Sequence, residues 1–506
     1  MAEITVPGAS PCEPTAAHAS ASTRAVELGC LTLSIVALFA LTWRHMDLLG
    51  DSFWSVATGR WILEHGELPE TDPFSFTAER PWIVHMPLSQ IVFAWAEQAL
   101  GVLGLELFGA LTFTSALVCL WLGHSRDPLS RLLTWPLLIL LVVVQADDLC
   151  VRGQLFGDLF VALLLLCLFR LRDGRRVHAL VPLALGSLWV NLHASAFLSI
   201  ALPLAFGFAL AIAEPRWLAQ ESVARRASSL ARALRPWLTF AGLAALGLCV
   251  NPYGFALVRD LIGLMRASST AEIDLFQPPD FTSPKLLAGL GVGLAVLLLA
   301  VYRRSRKVGV PEALVLGVLL LAACAARRHE PLALAFAIAV VARDLSEHAP
   351  RFLTGSDARR IAVVSGAVVA SGISIYGLSA DKDPWRDVPL DEARLIEEAN
   401  LPDNVANIYH WGGFLDYVWS PRRKVFIDGR NQLFEGRVYD DARRLDRLEQ
   451  WPEVLDRYRI NTVLWQRGGP LDYALSISPD WALVQRGRIA VVYVRRKPLR
   501  ATEARQ

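Results

Sequence analysis

The property that most narrows the folds open to this chain is the return of long, uncharged apolar runs from about residue 26 to residue 379. A signal peptide or a single anchor supplies one such run. Many runs, joined by short polar links, suit a chain that crosses a bilayer repeatedly, where each backbone polar group has to be satisfied within a helix. The runs lie at 26–43, 103–122, 132–146, 154–169, 179–190, 195–213, 236–250, 286–302, 309–324, 331–342 and 361–379, and they predict about eleven transmembrane helices. Several fall short of the roughly 20 residues that a full span needs, which leaves their ends soft. The composition agrees: 54% of the residues are hydrophobic and only 19% charged, with a mean hydropathy of +0.38.

Charge sets the orientation. With a cytoplasmic N-terminus, the inside segments carry 20 Lys or Arg in 88 residues and the outside segments 9 in 95, the excess expected of inner loops. The basic residues sit in short clusters between apolar runs, and the net charge is only +2, which excludes a nucleic-acid partner. The seven cysteines show no Cys-x-x-Cys spacing and read as small core residues, not zinc ligands or a disulfide framework. Residues 1–25, rich in Ala, Ser, Thr and Pro, read as a disordered cytoplasmic tail ahead of a membrane domain at 26–379.

Within that domain, 214–235 reads as a basic amphipathic helix on the cytoplasmic leaflet, and 87–100 as an interfacial helix lying outside the membrane. The competing reading of the second segment joins it to the next run as one 38-residue helix. From about residue 380 the apolar runs stop. A small α/β domain is predicted at 380–506, with strands at 404–408, 424–427, 461–465, 481–485 and 489–494 and helices near 391–400 and 437–457. The odd number of crossings puts it on the non-cytoplasmic side.

With this topology, nearly all the unusual polar residues at helix ends fall outside. They are Asp51 and Asp72 in the first outer loop (44–86), His85 at its end, then Asp147, Asp148, Arg152, Gln154, Asn191, His193, Asn251, Glu272, Asp274, Asp280, Arg327, Arg328 and His329. Ionisable groups at membrane depth cost about 2.5–3.5 kcal/mol each at a helix centre, so they persist mainly where paired or functional.

Each has a plainer reading. Asp51 serves equally well as a helix N-cap. Asp72, before Pro73, suits a turn. Arg327 and Arg328 crowd a very short outer loop against the positive-inside pattern, and therefore call for an anion. That anion is either a carboxylate (Asp147, Asp148 or Glu330) or a phosphate, which the planar guanidinium grips through two parallel hydrogen bonds. Arg152 is open to the same pair of readings. His85 and His193 lack metal-ligand spacing and read as hydrogen-bonding residues at helix ends. Asn251-Pro252-Tyr253-Gly254 is a helix stop, and 276–281 an outer loop able to cover a cleft.

The stretch 51–77 (Asp-Ser-Phe-Trp-Ser-Val-Ala-Thr-Gly-Arg-Trp-Ile, then Thr-Asp-Pro-Phe-Ser-Phe-Thr), the segments 189–193 and 251–254, Arg328-His329, His410-Trp-Gly-Gly413 and 424–430 (Lys-Val-Phe-Ile-Asp-Gly-Arg) follow one another in an order that resembles bacterial membrane proteins related to the GT-C glycosyltransferases. That superfamily includes oligosaccharyltransferases, protein O-mannosyltransferases and aminoarabinose transferases. The resemblance spans most of the chain. It implies a GT-C-like membrane fold in a bacterial inner membrane, and sugar transfer from a polyprenyl-phosphate carrier to a glycan, lipid or protein acceptor on the periplasmic face. Asp51 is the implied catalytic acid and Asp72 the second. The chain departs from the pattern at Leu49, Ser55 and Met86, where a second acid, a His and a Glu are expected.

The residue inventory suits such chemistry. A phosphate-linked sugar already carries a good leaving group, so the site needs a carboxylate to take the acceptor's proton and cations to hold the departing phosphate. Asp51 is the expected base. Arg327, Arg328 and Arg152 form the expected clamp, with His329, His85, Asn191 and His193 as further binding residues. A single displacement inverts the anomeric centre. No cofactor is required on these grounds, although the resemblance leaves room for a divalent metal ion. A flippase or transporter of lipid-linked glycan, and a non-catalytic membrane assembly protein, remain the rival readings.

Overall fold

In the computed structural model, the described residues are 16–78, 80–125, 127–213, 222–264, 277–303, 309–347, 356–434 and 436–499. Glu272 and Asp274 lie outside them. Thirteen helices form the membrane part: α1 Ala16–His45, α2 Gly50–His65, α3 Pro87–His124, α4 Pro128–Gln145, α5 Gln154–Arg172, α6 Leu180–Leu192, α7 Leu198–Ala213, α8 Val223–Leu248, α9 Phe255–Leu264, α10 Pro284–Arg303, α11 Val310–Ala325, α12 Glu330–Glu347 and α13 Ser356–Leu378. Every predicted apolar run falls in one of them. Among the described residues, five segments are long and apolar enough to cross a membrane: Ala25–His45, Pro87–His124, Pro128–Gln145, Gln154–Arg172 and Ala194–Ala213. Four more, between ten and seventeen residues long, are apolar but shorter. The protein is thus a multi-pass helical membrane protein, and eleven crossings stays an expectation from the sequence.

Two segments differ in detail from expectation. Residues 87–100 and the following run share α3, but Gly101 has φ 69 and ψ −171, a left-handed conformation that breaks the helical path where only glycine is unstrained. Trp95, Leu100 and Leu103 are exposed around this break, an apolar rim suited to the membrane interface. Of the basic helix expected at 214–235, residues 214–221 lie outside the described residues, and the remainder is not a separate helix. Residues 223–235 run straight into the next apolar segment as α8, whose first turn is capped by Ser222 Oγ on the Arg225 N–H at 3.3 Å.

The C-terminal part contains α14 Leu390–Glu398, β1 Val405–Asn407, α15 Tyr409–Trp419, α16 Asn431–Phe434, α17 Arg437–Arg447, α18 Trp451–Arg457, β2 Thr462–Gln466, α19 Pro470–Ile477, β3 Trp481–Arg486 and β4 Ala490–Arg495. The sheet order is β1-β2-β4-β3, with β1 parallel to β2 and the other pairs antiparallel. The helix expected at 437–457 is two, divided where Leu448 and Gln450 take positive φ. The strand expected at 424–427 is reduced to isolated bridges, because Val425 is shared between β1 and the first outer loop. Val425 donates to Phe74 O at 2.9 Å and accepts from the Phe76 N–H at 3.1 Å, so that loop pairs alongside the segment flanking the sheet.

The two parts therefore share their cores. Phe53 of α2 packs on Trp385, Phe414 and Tyr417 at ring separations of 5.9, 5.6 and 5.5 Å. Phe74, Trp82 and Val84 of the first outer loop belong to the same apolar cluster as Phe426, Leu445 and Val463.

Inside this junction Arg430 is completely buried. Its Nη1 meets Asp72 Oδ1 at 2.5 Å, its Nε meets Asp428 Oδ1 at 2.9 Å, and Asp416 Oδ2 lies 3.9 Å from Nη2. Three buried carboxyls around one guanidinium leave excess negative charge. Neither oxygen of Asp416 accepts a hydrogen bond. Burial, then the neighbouring Asp428, holds the Asp416 carboxyl well above the usual carboxylate range. A folded-state value above the unfolded one means that the contribution of Asp416 to stability is complete in acid and is lost as pH rises toward the raised value. Asp416→Asn should accordingly raise the thermal midpoint in detergent at pH 7.5 by a few degrees, at about 2–4 °C per kcal/mol, and by less at pH 4.5. Equal or lower midpoints at both pH values would contradict this charge accounting.

Candidate active site

The helix ends line a cavity of about 410 Å³, within the range of small-molecule sites. One face of α5 lines it from top to bottom: Arg152 and Gly153 just before the helix, then Gln154, Asp158, Val161 and Ala162 at helical spacing. Asp51, Trp54 and Ser55 of α2 and Met86 also line it, with His193 and Ser195 after α6 and Arg328 and His329 before α12. Phe113, Leu117, Leu120, Leu141, Leu332 and Ala335 make the deeper walls apolar. The cavity thus joins a polar end to a hydrocarbon-like interior.

Asp51 is in the first turn of α2 but is not its cap, a position held by Leu49. Its Oδ1 accepts a hydrogen bond from Trp54 Nε1 at 3.0 Å. Arg152 is within electrostatic reach of Asp51, Asp148 and Asp158, and its Nη2 donates to Asp148 O at 3.4 Å. Burial by the surrounding helix ends, then repulsion from Arg152, holds the Arg328 guanidinium below its ordinary value. Two arginines pressed into one cavity make it a place where an anion relieves repulsion.

The histidines stay neutral there. Burial, then Arg328 and Arg152, pushes His193 down to about 3, and burial with Arg328 lowers His329. His193 Nδ1 accepts from the Ser195 N–H at 3.1 Å, and the Ser195 hydroxyl is held in turn by Trp189 Nε1 at 3.1 Å.

Asp51, Arg152, Arg328, His329 and His193 therefore face one space. Four other sequence candidates do not line it. Asp72 turns into the protein, where it accepts from the Phe74 and Ser75 N–H groups at 3.2 and 2.9 Å and binds Arg430. Arg327 is taken up by Asp148 at 2.6 Å, the carboxylate alternative of the two readings. His85 Nε2 meets Asp260 Oδ2 of α9 at 2.5 Å. Asn191 Nδ2 stitches α6 to the end of α8 through Ser187 O at 2.7 Å and Val250 O at 2.8 Å. Conversely, sequence reasoning passed over Asp158, whose carboxyl accepts from Gln154 Nε2 at 3.3 Å. A lone acid four residues after a glutamine at the start of an apolar run was the available signal.

The donor set does not fit a divalent ion. Ser55 spends its hydroxyl on Asp51 O at 2.6 Å, Met86 offers only a thioether, and the nearby partners are arginines. Among the described residues no three His, Cys, Asp or Glu side chains come together as metal ligands.

No protein-family model matches this sequence, and no curated protein matches it either. Solved structures do resemble the fold. An archaeal oligosaccharyltransferase, AglB from Archaeoglobus fulgidus, in complex with an inhibitory peptide and a dolichol-phosphate, aligns over 92% of this chain and 74% of its own with a TM-score of 0.55 at 13% identity. The same archaeal oligosaccharyltransferase in complex with Zn and sulfate gives a TM-score of 0.54 at 14% identity, over 91% of this chain and 72% of its own. ArnT from Cupriavidus metallidurans, bound to undecaprenyl phosphate, aligns over 94% of this chain and 98% of its own with a TM-score of 0.52 at 12% identity. At such identities the likeness is one of fold, and that fold is the GT-C-like membrane architecture implied by the order of the sequence motifs.

Proposed function

We propose that the protein is a membrane glycosyltransferase that moves a sugar from a polyprenyl-phosphate carrier to an acceptor hydroxyl or amine on the periplasmic face of a bacterial inner membrane. The observation that carries this reading is that Asp51, Arg152 and Arg328 line a single cavity whose depth is apolar. Fold likeness to proteins solved with dolichol-phosphate and undecaprenyl phosphate supports it. The asymmetry of loop charge supports the orientation.

In this mechanism the acceptor enters beside Asp51, which takes its proton as the acceptor atom attacks the anomeric carbon from the side opposite the phosphate. The carbon–oxygen bond to phosphate breaks, and its electron pair leaves with the carrier. The phosphate goes from one negative charge to two, and Arg152 and Arg328 meet the charge that develops. The anomeric configuration inverts. No step passes through a metal.

A transport reading fits less well, because the bundle is filled below the cavity. Phe169, Phe206 and Phe336, all buried, pack together with Trp237 at ring separations of 5.3–6.1 Å. Beyond them Arg172 pairs with Glu312 at 3.1 Å, and Arg343 pairs with Asp173.

In detergent or vesicles with a polyprenyl-phosphate-linked sugar, Asp51→Asn should lower transfer about 10²- to 10⁴-fold, the span of general base catalysis, while the protein still inserts and elutes as a single species. Unchanged transfer would discard Asp51 as the base. Arg152→Gln and Arg328→Gln should each weaken binding of the phosphate-bearing carrier roughly 10- to 100-fold, the loss of a charge-assisted hydrogen bond. Carrier affinity equal to that of the unaltered protein in both variants would remove the clamp.

A further inference from the structure

The motifs at 410–413 and 424–430 have no part in the chemistry described so far, yet they end at the base. A Cβ placed on Gly429 would lie 2.8 Å from Asp51 Oδ1 and 3.4 Å from Trp54 Nε1, so the glycine backbone rests directly on the hydrogen bond between those two side chains. On the neighbouring turn, a Cβ on Gly413 would lie 2.1 Å from Gly50 O and 3.0 Å from Trp54 Cδ1. The first turn of α2 and its carboxylate are thus gripped by two glycine surfaces of the C-terminal part. Side chains at either position would push them away.

The Gly429 loop is itself fixed on both sides. Before it, Asn407 accepts from the Phe426 N–H at 2.9 Å and donates to Ile427 O at 2.8 Å. After it, the Arg430 N–H donates to Asp428 Oδ1 at 2.8 Å, and the Arg430 guanidinium spans Asp428 and Asp72 without solvent contact. A loop held this way has little freedom to yield.

We infer that the Asp428-Gly429-Arg430 loop is a positioning element for the proposed base. It keeps the Trp54 indole N–H on one oxygen of Asp51 and thereby leaves the other for the acceptor. The C-terminal part then belongs to the catalytic site and is not a separate binding module. This inference rests on the transfer reading above.

The mechanism separates kcat from KM: loss of the Trp54 hydrogen bond misplaces the base but leaves the arginines that hold the carrier phosphate unaltered. In the full chain, Gly429→Ala and Trp54→Phe should both lower kcat roughly 10- to 100-fold, the effect of misplacing a reacting group by about an ångström. Both should leave the KM for the polyprenyl-phosphate sugar within about twofold.

Trp54→Phe keeps an aromatic ring in place, so it decides the question if Gly429→Ala fails to fold. Should both variants retain the unaltered kcat while Asp51→Asn is inactive, the positioning role is wrong and the transfer reading survives. Should Asp51→Asn remain active, both fall together.

Discussion

A guanidinium withdrawn entirely from water must be matched by carboxylates, and Arg430 draws its own from distant parts of the chain: Asp72 from the loop between α2 and α3, and Asp428 from the C-terminal part. Leaving such a charge unpaired costs several kcal/mol. The first outer loop and the C-terminal part are therefore stable at this junction only when folded against each other. Around that node the other contacts follow. The bridge between Ser75 and Val425, the stacking of Arg430 over Phe74 and Trp82 at 5.1 and 4.7 Å, and the fit of Gly429 over Asp51 all need the same docking. A second tie lies nearby, where Glu97 of α3 receives Arg60 of α2 at 2.7 Å and Tyr417 of α15 at 3.0 Å.

The electrostatics of the cavity complement this rigid frame. Arg152 and Arg328 repel each other in a partly desolvated space, while burial keeps His193 and His329 uncharged. A phosphate relieves that repulsion, and the apolar lower walls suit the hydrocarbon chain attached to it. In the proposed transfer, the same desolvation would strengthen the pull on charge that develops on a departing phosphate. Phe169, Phe206 and Trp237 pack together and fill the bundle beneath the cavity.

Much of the membrane architecture was legible because apolar periodicity acts locally and strongly. Each apolar run became a helix, and the two-part reading of 87–124 is visible as the break at Gly101. What failed depended on distant partners. The segment at 424–427 has the composition of a strand, but its Val425 is shared with a loop 350 positions away in sequence. The sequence also cannot say which acid an arginine meets. Arg327 and Arg328 are adjacent and chemically identical, yet one is bound to Asp148 and the other faces the cavity. Asp72 looked like a turn residue and a candidate acid. It makes the turn hydrogen bonds, and its remaining capacity goes to Arg430. Asp158 was hidden by the apolar run around it, since a single carboxyl barely alters the hydropathy of a helix.

The account turns on an acid near the start of the polypeptide and arginines far along it acting on one bound molecule. A high-resolution cryo-EM map of the full chain with undecaprenyl phosphate tests this most directly. The phosphate should lie within hydrogen-bond reach of Arg152 and Arg328, with Asp51 on the facing wall and the first isoprene units against Leu117, Leu120 and Leu332. A phosphate held elsewhere, with this cavity filled only by water, would contradict it.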